Sequence, residues 1–300
     1  MMFRYILWFG IMVAISSPVT AAVSIFTCEP EWAALAQEVG RDLVKTTSAT
    51  TAMQDPHHIQ ARPSLIARMR KADLVICTGA GLETGWLPLL LRRANNPRVQ
   101  PGQPGYLQAA TAVALLDRPQ SLDRAEGDIH AQGNPHIQTN PHNLTAVAKV
   151  LADRLSTIDP SHAQQYQANL DDFLSRWQSA IDRWEQAASP LKRMTVVVQH
   201  RSWVYLSQWL GLERVATIEP KPGIIPGSGD LARLVAQMEQ QSADAILRAA
   251  WQDDRSAKWL SEHTGIVVVE LPFTVGGSEA AQDLFGLFDD TLHRLLAVAP

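Results

Sequence analysis

No block of basic residues occurs in this sequence, and its formal charge is −4. A nucleic acid or an anionic membrane surface is therefore excluded as the expected partner. Beyond the first residues there is no apolar stretch of the about 20 residues that a spanning helix needs. Internal repeats and low-complexity tracts are absent. So is an HExxH pair, which argues against a secreted zinc hydrolase or lyase. The carboxylates such an enzyme could use as a general base, Glu83 and Glu219, read as structural residues, and no catalytic residue is assigned. Cysteine is scarce, with two in 300 residues, and neither stands where a lipid-anchored precursor would need one.

The amino terminus supplies the compartment. Arg4 precedes the apolar run Ile6 to Ile15, and SSPVTAA then offers the small residues a signal peptidase requires. The run is too short to span and reads as a signal peptide over residues 1–22, cleaved after Ala21 or Ala22. Export to the periplasm follows. In an oxidising compartment the two cysteines are candidates for a disulfide. Cys28 ends VSIFTC and Cys77 ends ADLVIC. If these runs are neighbouring parallel strands, their ends lie at bonding distance; the alternative is two small buried hydrophobes.

What remains is ordinary globular material, 46% hydrophobic and 19% charged. Short apolar runs alternate with helical patterns in the first half, and the same rhythm restarts at MTVVVQH, which argues for parallel βαβ units in two lobes. NNPRVQPGQPGY reads as a surface loop. Between the halves, Asp159 and Pro160 form a helix start, an N-cap followed by proline in the first turn. Tyr166, Leu170, Phe173, Trp177, Ile181 and Trp184 then recur at spacings of 3 and 4, with neither glycine nor proline before Pro190. This predicts a helix of roughly 25–28 residues, about 40 Å long, suited to a rigid spine. The expected architecture is α/β: two (β/α) lobes with parallel sheets over residues 23–158 and 189–300, joined by one long backbone helix over 159–188, with a metal site in the interlobe cleft.

Nine histidines are present, and their placement matters more than their number. His57 and His58 sit in a proline-flanked loop, DPHHIQARP, after a strand candidate. His136 lies in GNPHIQTNPH, with His130 and His142 six residues to either side. His200 closes MTVVVQH. Ligands of open α/β sheets bind beyond the carboxyl ends of the strands, and neutral imidazole is a zinc ligand. His57, His136 and His200 are therefore the candidate metal ligands. His162, His263 and His293 read as surface residues. Two other readings use different residues: a pocket for a chelated metal lined by Trp86, Trp203, Trp209, Trp251 and Trp259, and nucleotide binding at GAGLETG, a near miss of GxGxxG.

Taken in order, these motifs resemble the zinc and manganese substrate-binding proteins of ABC transporters (the cluster A-I class) over essentially the whole mature chain. The matching segments are DPHHIQARPS, ADLVICTGAGLETGWLP, GNPHIQTNPHN, HRSWVYLSQWLGL and EPKPGIIPGSGDL. The resemblance implies two lobes on one backbone helix and His57, His136 and His200 as ligands. It also implies high-affinity capture of Zn²⁺ in the periplasm by a monomer that delivers it to a membrane ABC transporter permease. A periplasmic metallochaperone is a candidate loading partner. Many relatives add a carboxylate from a loop near the carboxyl terminus, where this chain has LPFTVGG with Thr274. Water or Glu219 is then the candidate for the fourth position. The long His/Asp-rich loop of some relatives is also missing, and the short DRPQSLDRAEGDIHAQG in its place, with His130, reads as a solvated loop. Three imidazoles with no obvious carboxylate favour zinc over Mn²⁺, a hard ion that prefers oxygen; manganese is the alternative cargo.

Overall fold

The computed structural model describes residues 22–119 and 127–300. The expected export signal lies outside the described residues except for Ala22, as do residues 120–126 of the short loop. The first half runs β1 (Val23–Thr27), α1 (Pro30–Gly40), β2 (Val44–Ser48), α2 (Pro63–Lys71), β3 (Leu74–Cys77), α3 (Leu87–Ala94), β4 (Tyr106–Gln108) and α4 (Pro141–Ile158). Its sheet has the order β2-β1-β3-β4, with every pairing parallel. All four residues of β3 (LVIC) are buried, as a parallel strand covered on both faces requires. Proline opens α1, α2, α3 and α4, where its missing N–H costs nothing and its fixed φ suits the first turn. Tyr106, the last residue of the segment expected to be a loop, begins β4. Three residues carry too little alternation to announce a strand.

The spine, α5 (Ala163–Ala187), has 25 residues. Its start departs from the expected N-cap. Pro160–His162 forms a 3₁₀ turn first, and the Asp159 carboxylate accepts from side chains instead of helix amides. Ser161 Oγ donates at 2.6 Å, Tyr166 Oη at 2.9 Å, and His162 Nδ1 lies at 2.6 Å. The apolar stripe falls where the periodicity puts it, with Tyr166, Leu170, Phe173, Trp177, Ile181 and Trp184 all buried.

The second half runs β5 (Thr195–Val198), α6 (Val204–Leu210), β6 (Glu213–Thr217), α7 (Ser228–Gln240), β7 (Ala245–Ala249), α8 (Arg255–Thr264), β8 (Val267–Leu271) and α9 (Leu284–Leu296). The order β6-β5-β7-β8, again all parallel, repeats that of the first sheet. The two lobes thus share a topology that no sequence repeat reveals.

Packing explains how the halves are held. One continuous apolar core takes Ile25, Trp32 and Ile76 from the first lobe, Phe173, Trp177 and Trp184 from α5, and Val196, Leu247 and Phe288 from the second lobe. Each sheet's other face has a smaller core of its own. The Trp177 ring lies 4.9 Å from Phe285 and 5.5 Å from Phe288, both on α9, while its Nε1 donates to the Pro141 carbonyl of α4 at 3.0 Å. A single spine residue therefore ties both lobes together. At the carboxyl ends of their strands Cys28 and Cys77 form the candidate disulfide, with Cα atoms 4.7 Å apart, because β1 and β3 are neighbours in the sheet.

Candidate metal centre

Three chain segments converge in the cleft. The loop after β2 carries His57, the turn before α4 carries His136, and the residues just past β5 carry His200. All three are buried, and one ring nitrogen from each lies within 4.8 Å of the other two. Ring centroids are 5.5 Å apart for His57 and His136, 5.9 Å for His57 and His200, and 5.7 Å for His136 and His200.

Local hydrogen bonds aim the rings. The Asp55 carboxylate sits 2.7 Å from His57 Nδ1 and also accepts the His57 backbone N–H at 2.9 Å. Glu219 Oε2 lies 2.6 Å from His200 Nδ1 and accepts the Gly223 N–H at 2.7 Å. In both pairs the carboxylate holds Nδ1–H and leaves the Nε2 lone pair free, the outer-shell arrangement of metal-ligating imidazoles. Glu219, a candidate fourth ligand from the sequence, thus sits behind His200 as its orienting partner. His136 is only 1% exposed, yet neither of its ring nitrogens has a hydrogen-bond partner. Leaving a buried polar atom unpaired costs on the order of 1–3 kcal/mol, and no hydrogen bond offsets that cost at either nitrogen of this ring.

Electrostatics favours the ligand-ready form. Burial, reinforced by the His57 and His200 rings, holds His136 well below the usual imidazole range. The same causes push His130 down to about 3. Neutral imidazole is the form that coordinates a cation. Burial disfavours charge on Asp55, but its bonds to His57 outweigh that and keep its carboxyl below the ordinary range.

His130 departs from its expected role as a solvated loop residue. Its Nε2 lies 3.3 Å from His57 Nε2, and its ring centroid is 5.3 Å from that of His57. The signal for this was its place between two proline-containing turns near His136; sequence separation hid its approach to His57. Asp55 was missed as well, although it stands two residues before His57, where an Asx side chain can reach the following backbone. The other histidines lie outside the group of three, although the His58 ring is 6.2 Å from that of His57. His142 is exposed and pairs with Glu185 at 2.8 Å, His58 is exposed, and His263 stacks on Trp259 at 3.8 Å. The cleft beside the metal group is lined by Asp117, Arg118, His130, His136, His200 and Arg201 among others. No tryptophan belongs to that lining: Trp86 and Trp203 are core residues.

A second buried polar group lies near the disulfide. Glu29 accepts from the backbone and hydroxyl of Thr78 at 3.2 and 3.1 Å. Glu83 takes the Gly79 N–H on both oxygens, at 3.2 and 3.1 Å. Burial pushes Glu31 and Glu83 up to about 7. Burial and the charge of Glu83 raise Glu29 well above the ordinary range. These carboxyls are all buried, and Glu83 accepts its hydrogen bonds from the Gly79 backbone.

Two parallel-sheet lobes on one helical spine, with a group of three histidines converging in the cleft, have the architecture of a two-lobe substrate-binding protein. A family model described as "Zinc-uptake complex component A periplasmic" matches residues 25–298, and the chain belongs to that family of metal substrate-binding components of ABC transporters, which are not enzymes. The manganese ABC transporter substrate-binding lipoprotein PsaA of Streptococcus anginosus is 22% identical over 258 residues, covering 83% of this chain and 79% of that protein. A metal ABC transporter substrate-binding lipoprotein of Lactococcus lactis is 24% identical over 248 residues, covering 80% and 75%. A crystal structure of ZnuA superposes with a TM-score of 0.76 at 22% identity, covering 92% of this chain and 98% of the other. The Mn-bound periplasmic metal-binding protein of Candidatus Liberibacter asiaticus gives 0.74 at 17% identity, with the same coverage.

Proposed function

We propose that this protein captures one Zn²⁺ in the periplasm between His57, His136 and His200 and hands it to the permease of an ABC transporter. The observation that carries the reading is the buried imidazole of His136, with both nitrogens unpaired, facing two histidines whose Nδ1 atoms are already engaged. Three imidazole nitrogens from both lobes suit a borderline cation, and a hard, oxygen-seeking ion less well. The manganese names of several relatives support the rival cargo. Competition titration of the purified mature chain against a chelator decides between them: Zn²⁺ binding at one per chain and tighter than Mn²⁺ is expected, and the reverse order refutes zinc as cargo. His57→Ala, His136→Ala and His200→Ala each abolish tight binding, while His263→Ala leaves it intact. Equal loss at His263 removes the site assignment.

A further inference from the structure

We infer that His130 is the fourth ligand, completing an all-imidazole tetrahedral site from a loop that docks across the cleft on the opposite lobe. The inference rests on the three-histidine reading above and adds to it the residue that tunes which ion is held.

The distances favour coordination. A tetrahedral zinc with bonds of about 2.0–2.1 Å places its ligand nitrogens about 3.3–3.4 Å apart. His57 Nε2 and His130 Nε2 stand 3.3 Å apart. The His130 ring lies 6.2 Å from that of His136, edge-on, and outside the three histidines whose nitrogens already stand within 4.8 Å of one another, so coordination requires its loop to move inward. Asp55 takes Nδ1–H of His57 and thereby leaves His57 Nε2 as a lone pair. Between two such nitrogens lies either a shared proton or a shared cation, and the experiment below separates them.

The loop is anchored to make the approach. The Asp128 N–H donates to the Pro222 carbonyl at 3.0 Å. Gly127 has φ +85°, and a Cβ there would fall 2.1 Å from that same carbonyl. Gly223 has φ +75°, and a Cβ there would sit 2.3 Å from the Asp128 carboxylate. Two glycines thus allow backbone contact between the His130 loop and residues 222–223. The turn they rest on begins at Glu219, which orients His200 and accepts the Gly223 N–H. At the far end, Gly133 N–H donates to the His130 carbonyl at 3.0 Å and Asn134 N–H to the Leu116 carbonyl at 2.8 Å. His130 is therefore coupled to His200 through one continuous set of contacts across the cleft.

A fourth imidazole excludes water and favours a four-coordinate nitrogen site, which suits Zn²⁺. It gives little to Mn²⁺, which prefers oxygen and six-coordination. The test compares wild type, His130→Ala, His130→Gln and His200→Ala as full mature chains, loaded with Zn²⁺, Mn²⁺ or Co²⁺ alone. For both His130 variants, Zn²⁺ affinity is expected to fall by at least the roughly 10–100-fold typical of losing an outer-shell partner. Mn²⁺ affinity should change far less. The visible spectrum of bound Co²⁺ should lose the intensity of a tetrahedral site, while metal-stripped variants melt as wild type does. Unchanged Zn²⁺ affinity and an unchanged Co²⁺ spectrum in both variants, with binding lost in His200→Ala, overturn the role of His130 and leave the three-histidine site standing. Full binding in His200→Ala instead overturns the underlying site.

Discussion

Thr274 of the second lobe donates its hydroxyl to Glu31 of the first, across the cleft, at 2.5 Å, with both residues buried. Thr274, the residue of LPFTVGG that stood in question as a ligand position, is thus a donor that serves a carboxyl on the opposite lobe. Burial raises the Glu31 carboxyl to about 7 even though this bond favours its ionised form. Thr274→Val should destabilise the protein by about 1–3 kcal/mol, and more at pH 8.5, where Glu31 is charged, than at pH 5. Urea denaturation at the two pH values measures this; a larger loss at pH 5 contradicts it.

Glu31 and Glu83 titrate near 7 in the folded chain and near the ordinary carboxyl value of about 4.3 when unfolded. Because the folded values are raised, the folded state binds more protons between those limits. The associated stability is fully present below about pH 4.3 and is lost as pH rises through 7. Glu83→Gln removes one titrating group and should flatten the fall in melting temperature across that window. An identical slope in wild type and variant would show that Glu83 titrates normally.

The Cys28–Cys77 bond closes a sequence separation of 49 residues. Loop-closure entropy for such a span is about 4 kcal/mol, and removing a native disulfide commonly costs about 2–5 kcal/mol. The Cys28→Ser/Cys77→Ser variant should lose stability in that range yet retain Zn²⁺ affinity, since neither cysteine belongs to the histidine group. Chemical denaturation and chelator competition on the same sample read both quantities.

Glu219 orients His200 from behind. Glu219→Ala should weaken Zn²⁺ binding about 10–100-fold without abolishing it, by direct titration. A loss as complete as that of His200→Ala would instead make Glu219 a ligand.

Much of this was legible in the residues. The spacing-3-and-4 stripe from Tyr166 to Trp184 announced α5, and strand candidates ending at Cys28, Cys77 and His200 placed the disulfide and part of the site. Periodicity reads what repeats, so β4, three residues long, and the 3₁₀ turn at Pro160 escaped it. Tertiary convergence was legible only where the family pattern carried it, for His57, His136 and His200. His130 had only its place near His136 to announce it, and its loop meets the second lobe where Gly127 allows a backbone contact between segments nearly a hundred residues apart. The Asp159 carboxylate had too many nearby donors for its actual partners to be chosen in advance.

The apolar core that runs without a break from Ile25 through Trp177 to Phe288 has a consequence for how the molecule comes apart. The halves share their main interior, so a chain cut on either side of α5 would yield fragments that expose the aromatic seam and precipitate instead of folding. Heating the whole protein should give one cooperative transition in which both halves melt together.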